Sequence, residues 1–418
     1  MNNKVTIALV GAGSRGAESY GPHVSKSPYD ASFVAVAEPR DAYRNKAISE
    51  FNIPQENAYS DWKELASKPK MADAAFITTQ DKMHAEPAIA LMKLGYHILL
   101  EKPMATNEED CRAIIKTQKE TGRILAVCHE MRYSRYAKRI QEIIKSKVLG
   151  DIVSIHHIEP IGYWHFAHSY VRGNWSSEKD SSPTLLAKSC HDLDIIRYWL
   201  GKPCKRISSF GSLMHFKKEN QPKNAASRCM DCPKTVESAC PYSAKKIYCR
   251  DRLNEQGWPN NIVSLDTSEA GMLEALNNGP YGQCVYDSNN DVVDHQVVNM
   301  EFEGGTLAAF TMSAFTKFNN RETWILGTKG QIRGNHTSIT HYDFTTDKET
   351  VTQVDDIGEP AGATGHDGDA EITFDFIAAV AKNDPTLLSS SAEVSLESHL
   401  MVFAAERARK NNSVEEVH

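Results

Sequence analysis

Long apolar runs, clusters of basic residues and a dense set of cysteines are all missing from this sequence of 418 residues. No apolar run approaches the ~18 residues that a membrane span requires, which argues against a membrane protein. The net charge of -7 disfavours nucleic acids and anionic membranes as partners, because both select clustered Lys and Arg. Nine cysteines are too few for a disulfide scaffold in so long a chain. The sequence opens with a polar tripeptide followed by an apolar strand pattern, so we expect no secretory leader and a cytoplasmic location.

The first 130 residues alternate short apolar strands with longer amphipathic helices. This alternation predicts right-handed βαβ units and an α/β domain over residues 1–130, with a parallel sheet buried on both faces. The predicted strands are Val5–Val10, Phe33–Ala37, Ala74–Thr79, His97–Leu100 and Ile124–Val127. The predicted helices are Asp41–Phe51, His84–Leu94 and Asn107–Thr121, the last with Thr106 as its N-cap.

The pattern changes after residue 130, and residues 131–418 are expected to form an α+β domain with an open, mostly antiparallel sheet. Strands separated by turns are predicted from Lys205 to Val354, with a Cys-rich insertion at about residues 217–260. We also predict one helix over Thr184–Leu200, a hairpin turn at Gly304–Gly305 and a flexible Gly-rich loop over Gly358–Gly368. Two closing helices are predicted at about Asp369–Val380 and Ser395–Arg409.

A glycine-rich motif, Gly11-Ala12-Gly13-Ser14-Arg15-Gly16, directly follows the first predicted strand. Alone, it is as consistent with a plain structural turn as with nucleotide binding. Its context is typical of a Rossmann dinucleotide site, because a helix follows and Glu38 ends the second strand, where it can bind the ribose hydroxyls. Glu38 should repel a 2′-phosphate, so we predict NAD as the cofactor. NADP is the alternative, because Arg15 and Arg40 lie nearby in the sequence.

Further motifs follow the later strands of the first domain. They are Thr79-Gln80-Asp81, His84, Glu101-Lys102-Pro103 and, in the second domain, His191 within LLAKSCHDLD. With the glycine motif and the domain order, they resemble the Gfo/Idh/MocA oxidoreductase family over essentially the whole chain. The resemblance implies an N-terminal Rossmann domain that binds NAD(P). It implies cofactor contacts at Gly11, Gly13, Ser14, Arg15, Gly16, Glu38, Thr79, His84 and Glu101.

The resemblance also implies that Lys102 and His191 are the catalytic residues. Oxidation of a secondary alcohol requires a group that takes the hydroxyl proton. Lys102 either takes this proton itself or stays charged and orients the hydroxyl while His191 moves the proton. The alternatives are a solvated surface lysine and a packed core histidine. Where the family usually has an Asp, this chain has Ala187, and Lys188, Asp192 or a residue of another loop are the candidates to replace it.

Aromatic residues alternate with His, Arg and Asn between residues 163 and 175. Such a segment suits a carbohydrate, because aromatic faces pack on sugar C–H surfaces while polar groups bind hydroxyls. An aromatic loop packed on the sheet is the alternative. The predicted substrate contacts are His168, Arg172, Tyr163 and His165, with His129, Arg132 and His366 as weaker candidates.

Cys229, Cys232, Cys240 and Cys249 occur close together in the second domain. Thiolates at this spacing can bind Zn²⁺, and the metal bonds organise a segment too short to build its own core. Reduced thiols in an ordinary loop, disulfides and an iron–sulfur cluster are the alternatives. We expect a structural zinc, because hydride transfer needs no one-electron relay.

Three functions are compatible with these residues. The leading hypothesis is an NAD(P)-dependent oxidoreductase that transfers a hydride between the nicotinamide and a secondary hydroxyl of a sugar, glycoside or cyclic polyol. The second is a glycosidase-type enzyme that holds NAD tightly and cleaves a glycosidic bond by transient oxidation and elimination. The third, a non-catalytic NAD-binding sensor, has no need of Lys102 and His191. The family resemblance further implies a homodimer or homotetramer that pairs through the second sheet.

Overall fold

The computed structural model describes residues 4–253, 255–318, 320–355 and 368–418. Within these ranges the chain forms one six-stranded sheet and one nine-stranded sheet. His366 and almost all of the Gly-rich loop lie outside the described residues. None of the described helices is long and apolar enough to cross a membrane.

The first sheet is parallel throughout and has the strand order β3-β2-β1-β4-β5-β6. Its strands are β1 (Val5–Val10), β2 (Ala31–Ala37), β3 (Ala58–Tyr59), β4 (Ala74–Ile77), β5 (His97–Leu100) and β6 (Leu125–Val127). The long helices between them are α1 (Asp41–Phe51), α2 (Ala85–Lys93) and α3 (Glu108–Thr121), with shorter helical segments at Ser14–Tyr20, Gly21–Val24 and Trp62–Ala66. This doubly wound arrangement confirms the predicted Rossmann fold.

The second sheet is antiparallel except where β7 and β10 run parallel, and its order is β14-β13-β12-β11-β7-β10-β9-β8-β15. Its strands are β7 (Ile152–Pro160), β8 (Cys204–Ser212), β9 (His295–Phe302), β10 (Leu307–Ser313), β11 (Glu322–Gly327), β12 (Gly330–Gly334), β13 (Ser338–Asp343), β14 (Lys348–Gln353) and β15 (Val414–Glu416). The hairpin between β9 and β10 turns at Gly304 and Gly305, whose φ angles of 81° and 83° favour glycine. The predicted α+β domain with a mostly antiparallel sheet is therefore confirmed.

Among the described residues, five longer helices follow β6. They are α4 (Arg135–Lys145), α5 (Cys190–Leu200), α6 (Glu269–Asn278), α7 (Asp369–Lys382) and α8 (Ala392–Asn411). The ring of Phe376 in α7 lies 5.8 Å from the ring of Phe76 in β4, so α7 covers one face of the first sheet. Met401 of α8 belongs to the core beneath the second sheet. The first sheet therefore buries one of its faces against residues from the end of the chain.

Three local predictions are wrong. The predicted helix over Thr184–Leu200 is two helices, Thr184–Ala187 and α5, because the backbone of Ser189 leaves the helical conformation. The N-cap of α3 is Asn107, whose Oδ1 accepts a hydrogen bond from the Asp110 amide at 2.8 Å, rather than Thr106. Between β8 and β9 the chain forms short helices instead of strands, because its apolar side chains build a small separate core with Trp164.

Candidate active site

The glycine turn after β1 leaves no room for a side chain. Gly11 has a φ of +90°, and a Cβ atom there would lie 2.8 Å from the carbonyl carbon of Thr78. The Thr78 hydroxyl donates a 2.6 Å hydrogen bond to the Gly11 carbonyl and fixes the turn against β4. The helical segment that begins at Ser14 therefore points its N-terminus at the carboxyl edge of the sheet. This geometry suits the pyrophosphate of a dinucleotide.

Glu38 lies at the end of β2, beside the glycine turn. Its Oε2 accepts a 2.9 Å hydrogen bond from the Ala12 amide, and its Oε1 accepts a 2.7 Å bond from Nε of Arg40. Burial acts to raise the pKa of Glu38, but the hydrogen bonds from Arg40 and Ala12 outweigh it and lower the pKa. The carboxylate is therefore charged, and its contact with a ribose stays a prediction. Cζ of Arg40 lies 3.7 Å from the Tyr43 ring centroid. The Arg40 guanidinium offsets part of the negative charge of Glu38 that would repel a 2′-phosphate.

Arg15 and Glu101, both predicted cofactor contacts, lie in a buried network that joins three segments. Nη2 of Arg15 lies 2.8 Å from Oδ1 of Asp369 in α7, and its Nε lies 3.4 Å from Oε1 of Glu101. The Tyr20 hydroxyl donates a 2.6 Å hydrogen bond to Glu101. These side chains hold the glycine turn, the end of β5 and α7 together.

His84 connects the loop after β4 with the loop after β5. Its Nδ1 lies 2.6 Å from the Pro103 carbonyl, and its Nε2 lies 3.1 Å from the Thr79 carbonyl. The Thr79 hydroxyl donates to the Met83 carbonyl at 3.0 Å. These residues shape the edge of the sheet, and their contact with a cofactor stays a prediction.

Lys102, His191 and Glu130 meet at the same edge. Nζ of Lys102 donates a 2.8 Å hydrogen bond to the Ala187 carbonyl, and Nε2 of His191 lies 3.3 Å from Oε1 of Glu130. Burial raises the pKa of Glu130 to about 7, against the lowering effect of Arg15. Burial and the nearby Lys102 lower the pKa of His191. A neutral imidazole thus faces a carboxyl group that titrates near neutral pH.

A second chain of charges lies on the second-domain side of Lys102. Nζ of Lys188 lies 3.7 Å from Oε1 of Glu159, and Arg321 bridges Glu159 at 2.7 Å and Asp192 at 2.5 Å. Asp192 is also 3.1 Å from Nε2 of His157. Burial lowers the pKa of Lys188 despite the attraction of Glu159. Asp192 is therefore engaged by two partners, which leaves Lys188 as the better candidate to replace the missing Asp at position 187.

His129 and Arg132, the weaker candidates, belong to the core between the domains. Arg132 binds Asp194 with two hydrogen bonds of 2.6 Å, and the Ser398 hydroxyl donates to the same carboxylate at 2.7 Å. Burial lowers the pKa of His129 to about 3. This cluster joins the loop after β6 to α5 and α8, and we interpret it as structural support for His191.

The four predicted substrate residues contact the Cys-rich insertion. Nδ1 of His168 and the Tyr248 hydroxyl share a 2.8 Å hydrogen bond. The His168 ring stacks on the ring of Tyr281, with 4.8 Å between the ring centroids. Arg172 donates to the carbonyls of Gln283 and Tyr242 at 2.8 and 2.7 Å. Tyr163 contacts the ring of Tyr242 and His165 that of Trp258, both in the insertion, and His165 also contacts Phe318, which lies between β10 and β11. These contacts favour the packed-loop alternative over direct substrate binding, and the role in binding stays a prediction.

The four predicted metal ligands do not lie together. Cys229, Cys232 and Cys240 line one small cavity, whereas the charged neighbours of Cys249 are Glu269, Arg250 and Lys245. In the described part of the chain, no three His, Cys, Asp or Glu side chains already form a metal-ligand set.

Three residues of this site belong to no motif that can be recognised in the sequence. Glu130 directly follows β6, and its place at the carboxyl end of a parallel strand was the available signal. Glu159 and Arg321 meet only because β7 and β11 are neighbours, which no local pattern reveals.

Two profiles of one protein family match the chain. The first, an oxidoreductase family with an NAD-binding Rossmann fold, matches residues 5–129, and the second, the C-terminal alpha/beta domain of that family, matches residues 141–411. Individual relatives share only part of their sequence with this chain. An oxidoreductase named YteT from Bacillus subtilis is 22% identical over 319 residues, which is 71% of this chain and 70% of that protein. The 2,7-anhydro-N-acetylneuraminate hydratase of Escherichia coli is 29% identical over 142 residues, or 34% of this chain and 37% of that protein.

A solved structure of levoglucosan dehydrogenase with NADH and levoglucosan has the same fold. It covers 99% of this chain and 100% of its own, with 17% identity and a TM-score of 0.71. The profile matches, which together span most of the sequence, confirm the family that the motifs indicated. The chain belongs to the Gfo/Idh/MocA family of NAD-dependent oxidoreductases.

Proposed function

We propose that this enzyme transfers a hydride between NAD and a secondary hydroxyl of a sugar, glycoside or cyclic polyol. The observation that carries the proposal is the meeting of Lys102, His191 and Glu130 at the carboxyl edge of the first sheet. Open α/β sheets bind their ligands at this edge. The shared fold with a levoglucosan dehydrogenase supports a carbohydrate as the substrate class.

The residues at the glycine turn fit a dinucleotide. Gly11 has no space for a Cβ atom beside Thr78, so the turn stays tight against β4, and the helical segment from Ser14 presents amide groups to a pyrophosphate. Glu38 offers its carboxylate to the ribose, and Arg15 with Glu101 keeps the turn in place. When bound, the cofactor supplies a nicotinamide ring that accepts or donates the hydride.

His191 and Glu130 form the proton path of the proposed reaction. Nδ1 of His191 has no hydrogen-bond partner among the described residues, so it is the ring nitrogen left for a substrate hydroxyl. In the oxidation direction, Nδ1 takes the hydroxyl proton while Nε2 passes its own proton to Glu130. Lys102, held by the Ala187 carbonyl, donates a hydrogen bond that orients the hydroxyl. The reverse transfers serve reduction.

Lys188 has the position to bind a second hydroxyl of the substrate. Its ammonium group is held by Glu159, and Arg321 fixes that carboxylate from the other side. A polyol hydroxyl can accept from Lys188 and donate to Glu159, whereas an Asp carboxylate at position 187 could only accept from it. We assign His168 and Arg172 to the support of the insertion rather than to the substrate.

We propose a cytoplasmic location for this enzyme. None of the nine cysteines forms a disulfide in the structure, as expected for a reducing cytoplasm. The outer face of the second sheet exposes apolar side chains that include Phe210 and Ile158, exposed by 66% and 41%. We propose a homodimer or homotetramer that buries this face.

The test measures NAD binding and turnover separately. Wild-type protein, Lys102→Ala and the matched surface variant Lys93→Ala are assayed for NADH with a panel of polyols, aldoses and anhydrosugars. Because Lys102 acts on the reacting hydroxyl, Lys102→Ala should lose about a hundredfold or more in kcat and keep its NAD affinity within about threefold. Lys93→Ala should match the wild type.

Two results would contradict the proposal. If Lys102→Ala keeps most of its activity, the assigned mechanism is wrong. Product formed from a glycoside with no net NADH would instead support the elimination hypothesis.

A further inference from the structure

Four cysteines surround one small cavity in the insertion. The cavity of about 20 Å³ is lined by Cys229, Cys232, Cys240 and Cys284. Cys284 lies far along the chain from the other three, and Cys249 does not line the cavity. The fold therefore brings together a different set of four thiols from the one that sequence spacing predicts.

Backbone contacts bring Cys284 to this position. The Cys284 amide donates a 2.8 Å hydrogen bond to the Ser227 carbonyl, and Arg228 forms an antiparallel bridge with Gln283. The Cys232 amide donates to the Cys229 carbonyl at 3.4 Å, which closes the turn between the first two thiols. These bonds do not depend on a metal, so the segments are held side by side in its absence.

Side-chain donors point at two of the sulfur atoms. Nη2 of Arg172, a residue that is 4% exposed, lies 3.4 Å from Sγ of Cys229. The side-chain amide of Gln221 donates to Sγ of Cys284 at 3.6 Å. A buried guanidinium and an amide N–H both stabilise sulfur in its thiolate form, which is the form that binds metals. The same Arg172 also donates to the Gln283 carbonyl, next to Cys284.

The cavity is small and holds at least one water-sized or ion-sized occupant. Four thiolates with no open position are the donor set of a structural zinc site. The thiols line the cavity without forming a ligand set, and rotation about the Cα–Cβ bonds can turn them toward its centre.

We propose that Cys229, Cys232, Cys240 and Cys284 bind one structural Zn²⁺ and that Cys249 is not a ligand. Each thiol loses its proton to solvent as its Zn–S bond forms, so no oxidant or reductant is required. The cationic Arg172 offsets part of the negative charge of the resulting tetrathiolate site. The metal ties the segment after β8 to the segment before β9, where the small core around Tyr248 is the remaining support.

The test compares two serine variants of the full chain, Cys284→Ser and Cys249→Ser, with the wild type. All three are purified under reducing, anaerobic conditions, and their zinc and iron contents are measured by inductively coupled plasma mass spectrometry. The wild type and Cys249→Ser should each hold about one zinc per chain, whereas Cys284→Ser should hold about tenfold less. Because Cys284→Ser is also at risk of misfolding, the wild type is stripped of metal and titrated with Co²⁺. A tetrahedral thiolate-cobalt absorption spectrum that saturates near one equivalent is expected.

Each alternative gives a different result. Zinc lost from Cys249→Ser and retained by Cys284→Ser would overturn the ligand assignment. Iron with acid-labile sulfide, an intramolecular disulfide among the four cysteines, or failure of the fresh wild type to hold zinc or cobalt would each overturn the zinc site.

Discussion

Nε2 of His191 lies 3.3 Å from Oε1 of Glu130, and both side chains are buried between the two domains. Glu130 follows β6 of the first sheet, whereas His191 belongs to the first turn of α5 in the second domain. Lys102 acts electrostatically on both groups. The proposed proton path therefore exists only where the domains meet, and each domain contributes one of its two members.

The first prediction concerns the pH dependence of turnover. Burial raises the pKa of Glu130 to about 7, so the group that accepts the proton is protonated and inactive below that pH. The rate of oxidation should therefore increase as the pH rises through about 7. Glu130→Gln should lose this increase with pH, and its kcat should fall about a hundredfold. The measurement is kcat and kcat/KM of both proteins from about pH 5 to about pH 9. The exposed variant Glu86→Gln is the control, and an unchanged acid limb in Glu130→Gln would assign it to another group.

The same shift in pKa predicts a change in stability. The carboxyl group of Glu130 titrates near pH 4.5 in the unfolded chain and near 7 when buried, so the unfolded state loses its proton first. Wild-type stability should therefore fall between these two pH values and then level off. Glu130→Gln lacks this loss, so its free energy of unfolding relative to the wild type should rise by about 1–3 kcal/mol from pH 5 to pH 8 in urea titrations. A pH-independent difference would contradict the assigned burial cost.

The sequence predicts the first domain well because its signals are local. β1, β5 and α1 begin and end at the predicted residues. Strand and helix patterns alternate in this part of the sequence, and the residues that flank each element mark its ends. The helix break at Ser189 was missed because no proline or glycine marks it. The break leaves the Ala187 carbonyl to accept from Lys102, a contact that only the folded chain creates.

Long-range pairs account for what the sequence did not reveal in the site. Arg321 reaches Glu159 across neighbouring strands, and Cys284 joins the other cavity thiols through a bridge between distant segments. Spacing along the chain suggested Cys249 instead, because sequence proximity was the available guide.

The second prediction tests Lys188 as the replacement for the missing Asp. Lys188→Met keeps much of the side-chain volume and removes the ammonium group, so kcat/KM should fall about tenfold to a hundredfold, mostly through KM. Affinity for NAD should stay within about threefold of the wild type, because Lys188 lies on the side of the second domain. Steady-state kinetics and calorimetric NAD titration measure the two effects. The exposed variant Lys145→Met is the control, and equal kinetics in both variants would remove Lys188 from the site.

The third prediction concerns the choice between NAD and NADP. Glu38→Ala removes a ribose acceptor and the charge that repels a 2′-phosphate, so the affinity for NAD should fall by about tenfold while that for NADP falls less or improves. Loss of the carboxylate also releases Arg40, whose guanidinium is now held by Glu38 at 2.7 Å. Equilibrium titration with both cofactors measures the ratio of affinities. Glu56→Ala, an exposed variant, serves as the control, and equal losses for NAD and NADP would refute the assigned role.

The last prediction concerns self-association through the second sheet. Phe210 of β8 pairs with Val297 of β9, Val297 pairs with Thr311 of β10, and Thr311 pairs with Ile158 of β7, so these side chains form one row across four strands. Phe210 is 66% exposed and Val297 is 37% exposed on the face that turns away from the core. An apolar row of this kind gains free energy when a second copy covers it.

A charge within that interface has no partner and must be desolvated, so Phe210→Lys should shift the protein toward the monomer. Light scattering coupled to size-exclusion chromatography at micromolar protein should give a dimer or tetramer for the wild type and a smaller mass for Phe210→Lys. Leu94→Lys places the same charge at a residue that is 40% exposed on the first domain, and it should keep the wild-type mass. A monomeric wild type would refute the assembly itself. An unchanged mass for Phe210→Lys would move the interface to another surface, because a lysine buried in an apolar contact without a partner is costly.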